Sequence, residues 1–584
     1  MYFNLLANGR VYLLYFGYEI VEVTKRISNH RISLWLLLIC ASVMILIGHG
    51  SIEVLDRDEA RFAQASKQMV QTADIITVRF QEELRAKKPI GIYWLQSASA
   101  SLFGSDKISS YRFPSLIGYI LSIVLSFLFV KNLWPDSGYL QQIVPSSLLA
   151  CSLIILAEAH IAKTDSILLS LILAQQFSLW LCYKNRFNIN ASSSTKWFWI
   201  SMGFAILVKG PIAPFLAFVT IFGLIIIDRD WSWLKRLNFL SGLVIIGIIC
   251  LPWVLAVSFA TEGVFLSQAI QSDFLPKLIS GQESHGAPPG LYLLTILLFV
   301  FPASIFFGAL FRTNAQFWRS DASRFCLIWL LSYWLIIELI PTKLPHYILP
   351  IIPALMMLIG RAIFIPISKI KWRRTAEIVV SLLSCLFGIL LLLGGLWASA
   401  KFGAENGAFA FAFVIFGMLL VGGIFFASFK WIRNDTREIT TRGQYIFLAC
   451  ILGIIFNCIF FSGIIGNLKS LHVASLIEEK LERLPVKTKI IALAGYHEPS
   501  SVFKLGEDIL LLNADEAALL LAEAPEALII VESRQIDQFK SAASNLNVVY
   551  HQSSQIKGFN ISKGQFIELY LMSSIKFDDK DLNS

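Results

Sequence analysis

Residues 32–49 read ISLWLLLICASVMILIGH, and residues 378–400 read IVVSLLSCLFGILLLLGGLWASA. Neither stretch contains Asp, Glu, Lys or Arg, and an apolar helix of about 20 residues is long enough to cross roughly 30 Å of hydrocarbon. The whole chain has the same character, because 56% of its 584 residues are hydrophobic and only 15% are charged. A soluble domain carries about 25% charged residues. The composition therefore excludes an ordinary soluble enzyme and predicts a polytopic α-helical membrane protein.

Hydropathy predicts about thirteen transmembrane helices. The loops between them indicate an orientation, because about 23 Lys and Arg residues fall on one side if the N-terminus is cytoplasmic. Loops rich in Lys and Arg remain in the cytoplasm. An odd number of spans then places the C-terminus outside. The expected spans are residues 32–49, 111–131, 143–161, 164–183, 195–208, 211–227, 238–260, 289–311, 322–340, 346–364, 376–400, 408–428 and 444–466.

Three regions follow from this pattern. Residues 1–31 are expected to form a cytoplasmic interfacial segment, and residues 32–466 a transmembrane domain with a long outer loop at 50–110. Residues 467–584 alternate apolar strands (489–494, 528–531, 547–550, 566–572) with helical patterns (470–484, 515–524), which is typical of a small extracytoplasmic α/β domain. In the outer loop, helices are expected at 59–71 and 90–102.

The net charge of +9 does not indicate a nucleic-acid partner. Residues 467–584 hold 12 Lys and Arg against 16 Asp and Glu, so the excess of positive charge lies in the loops of the membrane half. Such a distribution is typical of membrane topology and not of a face that binds a nucleic-acid backbone. All eight cysteines fall within apolar runs and are expected to be small buried hydrophobes.

The first outer loop contains DRDEAR at 56–61. Asp58 and Arg61 would lie on one face of a helix, and a carboxylate beside an arginine could act as the base for an acceptor hydroxyl. A capping acid with a local salt bridge is the alternative. Further along, RAKKPIGIYW at 85–94 places two lysines before a helix, where ammonium groups and N-terminal amides attract a phosphate. The alternative there is anchoring at the membrane surface by Lys and Trp.

The other outer loops also carry compact polar clusters. They read HIAKTD at 160–165, KGP at 209–211, SGQESHGAPP at 280–289 and TKLPHY at 342–347. Glu283 and His285 are too few to indicate a metal site by spacing. The convergence of acids and lysines from five loops on one face instead predicts a cationic pocket with one poised carboxylate, which suits a lipid-linked phosphate.

Six of these motifs, in this order, resemble the bacterial integral-membrane glycosyltransferases of the GT-C class. The most similar members are the lipid A aminoarabinose transferases and the protein O-mannosyltransferase superfamily. The resemblance covers roughly residues 50–365, while residues 376–466 carry no such motif. The motifs are DEARFA (58–63), KPIGIYWL (88–95), KTD (163–165), KGP (209–211), QESHG (282–286) and KLPHYILP (343–350).

The resemblance implies an inverting transfer of a sugar from a polyprenyl-phosphate donor to lipid A, another glycan, a lipid or a protein, on the outer face of a bacterial inner membrane. It implies that Asp58 is the catalytic carboxylate and that the second outer loop contributes Asp165. We add Glu59 to these as a catalytic candidate. The donor phosphate is expected to contact Lys88, Arg61, Lys209 and Lys343, and the substrate to contact Tyr93, Glu283, His285, His346 and Tyr347.

One position departs from the family pattern. Aminoarabinose transferases commonly read Glu-Lys-Pro where this chain has Lys87-Lys88-Pro89. That Glu is a candidate metal ligand together with the histidine that resembles His285. With Lys87 in its place, no cofactor is predicted with certainty, a divalent metal stays an open alternative, and the sugar contacted at this position can differ from the family's.

Two other classes of function remain open from the sequence. A lipid or polysaccharide flippase also needs polar residues among many spans, but transporters place ionisable groups near the bilayer midplane. A non-catalytic subunit for envelope assembly would use the outer α/β domain to bind partners. Release of polyprenyl phosphate from a sugar-loaded donor separates a transferase from both.

Overall fold

The computed structural model describes residues 32–186, 192–269, 271, 286–366, 370–403, 407–433, 439–484 and 490–576. The expected interfacial segment at 1–31 lies outside these residues. The described part divides into a large helical body and a C-terminal α/β unit.

The first half of the helical body contains an apolar helix, the outer loop with its two helices, and seven further helices. The outer loop also holds a short antiparallel pair, β1 (Arg79–Phe80) and β2 (Glu83–Leu84). The helices are α1 (Ile32–Ser51), α2 (Asp58–Thr72), α3 (Gly91–Phe103), α4 (Ile108–Leu133), α5 (Tyr139–Cys151), α6 (Leu153–Ala159), α7 (Asp165–Lys184), α8 (Ser192–Lys209), α9 (Ile212–Asp228) and α10 (Phe239–Ala260).

The second half continues with helices of varied length and with 3₁₀ segments at Ala303–Arg312 and Pro345–Ile351. The α-helices are α11 (Val264–Gln268), α12 (Leu291–Phe299), α13 (Ala315–Arg319), α14 (Asp321–Leu339), α15 (Ile352–Ala362), α16 (Lys371–Phe402), α17 (Gly407–Arg433) and α18 (Ile439–Ile459).

The apolar helices confirm a polytopic membrane protein but not the number of spans. Among the described residues, 8 helices are long and apolar enough to cross a membrane, or up to 10 if each of two bent pairs forms one span. The expected spans at 143–161 and 289–311 coincide with these bent pairs, which turn by 63° and 116°. The break expected at Lys209-Gly210-Pro211 is present, because α8 ends at Lys209 and Gly210 adopts φ +72°. Thirteen spans therefore stay a prediction.

The C-terminal unit is a mixed five-stranded sheet in the order β4-β3-β5-β7-β6. Its central strand β5 pairs in parallel with β3, which pairs in parallel with β4, while β7 is antiparallel to both β5 and β6. The elements are α19 (Val473–Glu482), β3 (Ile491–Ala494), α20 (Pro499–Leu505), β4 (Leu510–Leu512), α21 (Ala514–Glu523), β5 (Leu528–Glu532), α22 (Ile536–Asn545), β6 (His551–Asn560) and β7 (Gln565–Ser573).

Most of the expected soluble elements are confirmed, and one strand is wrong. Residues 547–550 are irregular, and the strand starts at His551 instead. The apolar residues within 547–550 led to the prediction of a strand there. The observed strand reads HQSSQIKGFN and contains too many polar residues to show an alternation of apolar and polar side chains. Strand β4, only three residues long, was not expected. The two helices of the outer loop are confirmed to within a residue at each end.

The C-terminal unit packs directly against the outer loop. Phe503 of α20 is buried in a cluster with Tyr111 of α4 and apolar residues of the loop, and the two rings are 5.5 Å apart, edge to face. Lys504 forms ion pairs with Glu53 and with Glu478, each at 2.9 Å. The outer loop is therefore held between the helical body and the α/β unit.

Candidate active site

The carboxylate of Asp58 is exposed at the start of α2. Among the described residues it has no ion pair within 4 Å, although it lies within electrostatic reach of Lys163. The residue before it, Arg57, has φ 66° and ψ −107°, a conformation that is uncommon for any residue other than glycine. The chain thus turns sharply just before Asp58 and presents this acid to solvent.

Glu59, the next residue, is a buried anchor. Its two carboxylate oxygens accept 2.8 Å hydrogen bonds from Nε and Nη2 of Arg112. The side chain of Arg112 is 0% exposed and that of Glu59 is 1% exposed. The same oxygens accept from the amides of Ala162 (2.8 Å) and Leu55 (2.9 Å). Because every oxygen is used by the protein, this geometry gives Glu59 a structural role and corrects the expectation that it is catalytic.

Arg112 joins three segments around that anchor. Its guanidinium also donates to the carbonyl oxygens of His49, Ile52 and Glu53 at 2.6–3.0 Å. The end of α1, the loop before Asp58 and the loop at residue 162 therefore meet at one buried charge. Sequence reasoning missed Arg112, although an arginine inside an apolar run is itself a signal, because burying a charge in a membrane requires a partner.

The second outer loop and the end of α8 supply two more ion pairs. Lys209 Nζ lies 2.5 Å from Asp165 Oδ1, and both side chains are buried. Lys163 Nζ lies 3.1 Å from Glu158 Oε1. Burial alone would lower the pKa of Lys163, but the carboxylates of Glu158 and Asp165 outweigh it and raise this pKa above its ordinary value. Lys163 is therefore a fixed positive charge.

Asp165 and Lys209 line a small cleft. His346 and Tyr347 contribute to the same wall, as expected, and Tyr333 is a lining residue that sequence reasoning did not identify. The remaining lining residues are apolar: Leu168, Leu169, Ile172, Ile212, Leu349 and Pro350. The cleft therefore combines an apolar wall with a small group of charges, as expected for a lipid-linked anion.

His346 connects this cleft to the first outer loop. Its imidazole is within electrostatic reach of Asp165, Lys209, Lys163 and also Lys88. Lys88 lies three residues before α3 and donates a 3.0 Å hydrogen bond to the carbonyl oxygen of Lys87. The structure thus brings together residues from four of the five expected loops.

Two candidate residues are engaged elsewhere. Lys343 Nζ donates to the carbonyl oxygens of Ile337, Glu338 and Ile340 at 2.6–2.8 Å, so all three of its protons cap the C-terminal end of α14. This capping corrects the expectation that Lys343 contacts the donor phosphate. Tyr93 is fully buried, and its hydroxyl accepts from Arg85 Nε at 3.2 Å. That burial corrects its expected role in substrate binding.

Arg61 lies one turn along α2 from Asp58 but forms no ion pair with it. Its charge instead acts on Asp56, whose Oδ1 accepts from the Ser500 amide at 3.3 Å. Burial and the nearby Glu498 raise the pKa of Asp56 to about 6, while Ser500 and Arg61 oppose that rise. Asp56 therefore faces the C-terminal unit, on the other side of the turn from Asp58.

The family resemblance would place a metal beside position 87, where this chain has a lysine in place of a carboxylate ligand. Lys87, an exposed cation, occupies the position of the family's glutamate. Glu283 and His285 lie outside the described residues, and within the described ones no three His, Cys, Asp or Glu side chains form a candidate metal site.

The chain is similar in sequence to known glycosyltransferases. The family described as dolichyl-phosphate-mannose-protein mannosyltransferase matches residues 87–255. An undecaprenyl phosphate-alpha-4-amino-4-deoxy-L-arabinose arabinosyl transferase of Pseudomonas fluorescens is 27% identical over 385 residues. That match covers 62% of this chain and 66% of the relative, so it spans just under two thirds of the relative's length.

The similarity extends to the whole fold. The crystal structure of ArnT from Cupriavidus metallidurans bound to undecaprenyl phosphate superimposes with a TM-score of 0.68 at 17% identity, covering 92% of this chain and 97% of that one. This chain resembles the GT-C glycosyltransferases in sequence and in fold. The apo form of the same protein gives a TM-score of 0.67. The GT-C fold expected from the sequence is thereby confirmed.

Proposed function

We propose that this chain is a glycosyltransferase that transfers a sugar from a polyprenyl-phosphate donor to an acceptor at the outer face of a bacterial inner membrane. The observation that carries the proposal is the position of Asp58. It is an exposed carboxylate without an ion pair among the described residues, and it lies within reach of the charges beside an apolar-walled cleft.

The lysines around the cleft suit a leaving phosphate. When the bond between the anomeric carbon and the phosphate oxygen breaks, polyprenyl phosphate leaves as a stable anion and needs no proton from an acid. Lys88, which precedes the N-terminal end of α3, is assigned to that anion, because a helix N-terminus and an ammonium group both attract phosphate. Lys209 is assigned a supporting role, since it is already paired with Asp165.

Asp58 is assigned to the acceptor. An alcohol that attacks the anomeric carbon must lose its proton during the attack, and a carboxylate can accept it. Attack from the side opposite the phosphate inverts the anomeric centre. Asp165 is assigned to the orientation of Lys209 at the cleft and not to proton transfer, because both groups are buried and paired.

The sugar of the proposal comes from the name of a relative, and the acceptor comes from the family resemblance of the sequence motifs. The similar Pseudomonas protein is named for undecaprenyl phosphate-alpha-4-amino-4-deoxy-L-arabinose, so we assign that donor to this chain and lipid A as its acceptor. A phosphate of lipid A is already anionic and needs less help from a base than a hydroxyl does. The N-terminus is assigned to the cytoplasm and the C-terminal unit to the periplasm, from the loop charges described above.

The test uses the full chain in nanodiscs with radiolabelled undecaprenyl phosphate-aminoarabinose and lipid A. Asp58→Asn keeps the size of the side chain but removes the proton acceptor, so turnover should fall by about 10² to 10⁴ with a hydroxyl acceptor, and by less with a phosphate acceptor. Donor binding should stay at the wild-type level. Asp56→Asn is the matched control, because the asparagine oxygen can still accept the hydrogen bond from the Ser500 amide, and it should lose far less.

Two results would contradict the proposal. Near-wild-type turnover of Asp58→Asn with lipid A would remove the assignment of Asp58 to the acceptor. Movement of the intact donor between the leaflets of sealed proteoliposomes, with no release of undecaprenyl phosphate, would identify a flippase instead.

A further inference from the structure

The C-terminal unit has the topology of a ligand-binding sheet, but its own side chains fill the usual ligand position. In open α/β sheets, ligands bind at the carboxyl ends of the parallel strands where the strand order reverses, which here is between β3 and β5. Gly495 follows β3 with φ +87°, and a Cβ there would lie 3.2 Å from Glu532 Oε2 and 3.1 Å from Gln535 Cδ. Glu532 itself is fully buried beneath Arg534. Little room remains for a ligand in this crevice.

The same edge of the sheet instead contacts the first outer loop. Ser562, in the turn between β6 and β7, accepts two hydrogen bonds from Arg57. Arg57 Nη2 donates to the Ser562 carbonyl oxygen at 2.7 Å, and Arg57 Nε donates to Ser562 Oγ at 3.0 Å. The hydroxyl of Ser562 donates in turn to Glu498 Oε2 at 2.9 Å, and the Ser500 amide donates to Asp56 Oδ1 at 3.3 Å.

The segment held in this way is a strained one. Arg57 has φ 66°, and backbone strain of this kind persists only where the surrounding structure imposes it. The following residue, Asp58, is the first residue of α2. On its other side the segment is fixed by the buried pair of Glu59 and Arg112. The two hydrogen bonds to Ser562 therefore complete a clamp on a turn that would otherwise relax.

We propose that the C-terminal unit positions Asp58 by holding the Asp56–Arg57 turn against Ser500 and Ser562, so that Arg57 and Ser562 are positioning residues for the transfer reaction. This inference rests on the proposed function, because it assigns a role to Asp58. In this inference the C-terminal unit acts by fixing the geometry of a loop of the helical body and does not need to bind a ligand.

The test uses the full chain in nanodiscs and two independent readouts. Hydrogen–deuterium exchange of the amides of residues 53–58 reports whether the turn is held. The kcat and the KM for radiolabelled undecaprenyl phosphate-aminoarabinose report whether Asp58 is positioned. The variants are Arg57→Gln and Ser562→Ala, with Arg57→Lys as the conservative replacement. Lys557→Gln is the matched control, since it removes a cation from the same hairpin at an exposed ion pair.

We expect Arg57→Gln to exchange about 10-fold faster at residues 53–58, because hydrogen bonds to a charged group are lost. Its kcat should fall by about 10- to 100-fold, as expected when a catalytic group is misplaced by about 1 Å, while the KM for the donor stays within about twofold, since the lysines that hold the donor are untouched. Ser562→Ala should show a smaller change of the same kind. Arg57→Lys should recover part of both losses, and Lys557→Gln should match the wild type.

Several outcomes would overturn the inference. Wild-type exchange in both Arg57→Gln and Ser562→Ala would show that the turn holds itself, and faster exchange with unchanged kcat would show that the turn does not position Asp58. Equal losses in Lys557→Gln would show a general effect of the hairpin. If Arg57→Gln does not fold, Ser562→Ala decides, because its carbonyl and the buried core are retained. Failure of the wild type to transfer sugar would refute the proposed function separately, and the exchange data would still decide whether the clamp exists.

Discussion

Replacing Glu59 by Gln tests whether the buried anchor beside Asp58 serves the reaction as well as the fold. The change keeps the volume of the side chain but leaves the guanidinium of Arg112, which is 0% exposed, without a counter-charge. Removing one partner of a buried ion pair costs about 3–5 kcal/mol. We expect a loss near the lower end, about 3 kcal/mol, because the amide oxygen still accepts a hydrogen bond and the three carbonyl contacts of Arg112 remain.

The chain offers a matched control for this variant. Arg312 and Glu377 form a second buried pair, with side chains 1% and 2% exposed, that joins the segment Ala303–Arg312 to α16. Arg312 also donates to the carbonyl oxygens of Ile363 and Ile365, which do not line the cleft. Glu377→Gln should therefore lose a similar amount of stability, whereas the geometry around Asp58 should be unchanged.

The assay measures the melting temperature of each detergent-solubilised variant by intrinsic fluorescence, and then the transfer rate well below both melting temperatures. Both variants should melt earlier than the wild type by similar amounts. Only Glu59→Gln should also lose turnover, by about 10-fold or more, because its carboxylate fixes the Ala162 amide and the start of α2. Equal turnover of the two variants, or an unchanged melting temperature of Glu59→Gln, would refute the reasoning.

Three further predictions concern single side chains. Lys88→Ala should weaken donor binding by about 2–5 kcal/mol if the contact is buried and charge-paired, and Lys88→Arg should recover only part of this loss. If isothermal titration shows that Lys88→Ala binds the donor as tightly as the wild type, Lys88 is an interfacial anchor. Lys343→Met should lower the melting temperature yet bind donor like the wild type, because its ammonium caps α14; a clear loss of donor affinity without loss of stability would contradict this. The raised pKa of Asp56, about 6, means that its protonated form is favoured in the folded state. The protonated carboxyl of Asp56 therefore stabilises the fold fully below about pH 4, and this stabilisation is lost as the pH rises through about 6. Over that range the melting temperature of Asp56→Asn should rise relative to that of the wild type. Parallel plots of melting temperature against pH for the two proteins, from pH 4 to 8, would contradict the burial of this carboxyl beside Glu498.

The sequence anticipated the helical body and most of the cleft. Long apolar runs need only length and hydropathy to be recognised, and the outer-loop motifs that contain Asp165, Lys209 and His346 do meet at one cleft. The roles of individual side chains were harder to predict. Glu59 and Asp58 are neighbours in one motif, yet one is buried against Arg112 and the other is exposed, because the turn at Arg57 and the start of a helix send adjacent side chains to opposite sides.

The sequence by itself determined that this chain is a polytopic membrane protein and which of its loops hold polar clusters, because both properties depend on local composition. Only the tertiary structure decided which charges are available. Lys343 has the residue type and the loop position of a phosphate ligand, but its protons are used by the carbonyl oxygens that end α14. Arg57 and Ser562 are 505 residues apart and meet only when the C-terminal sheet docks on the outer loop. The hydrogen-bond partner of a charged side chain can come from any part of the sequence. Which partner it has is therefore decided by the fold of the whole chain and not by the local sequence.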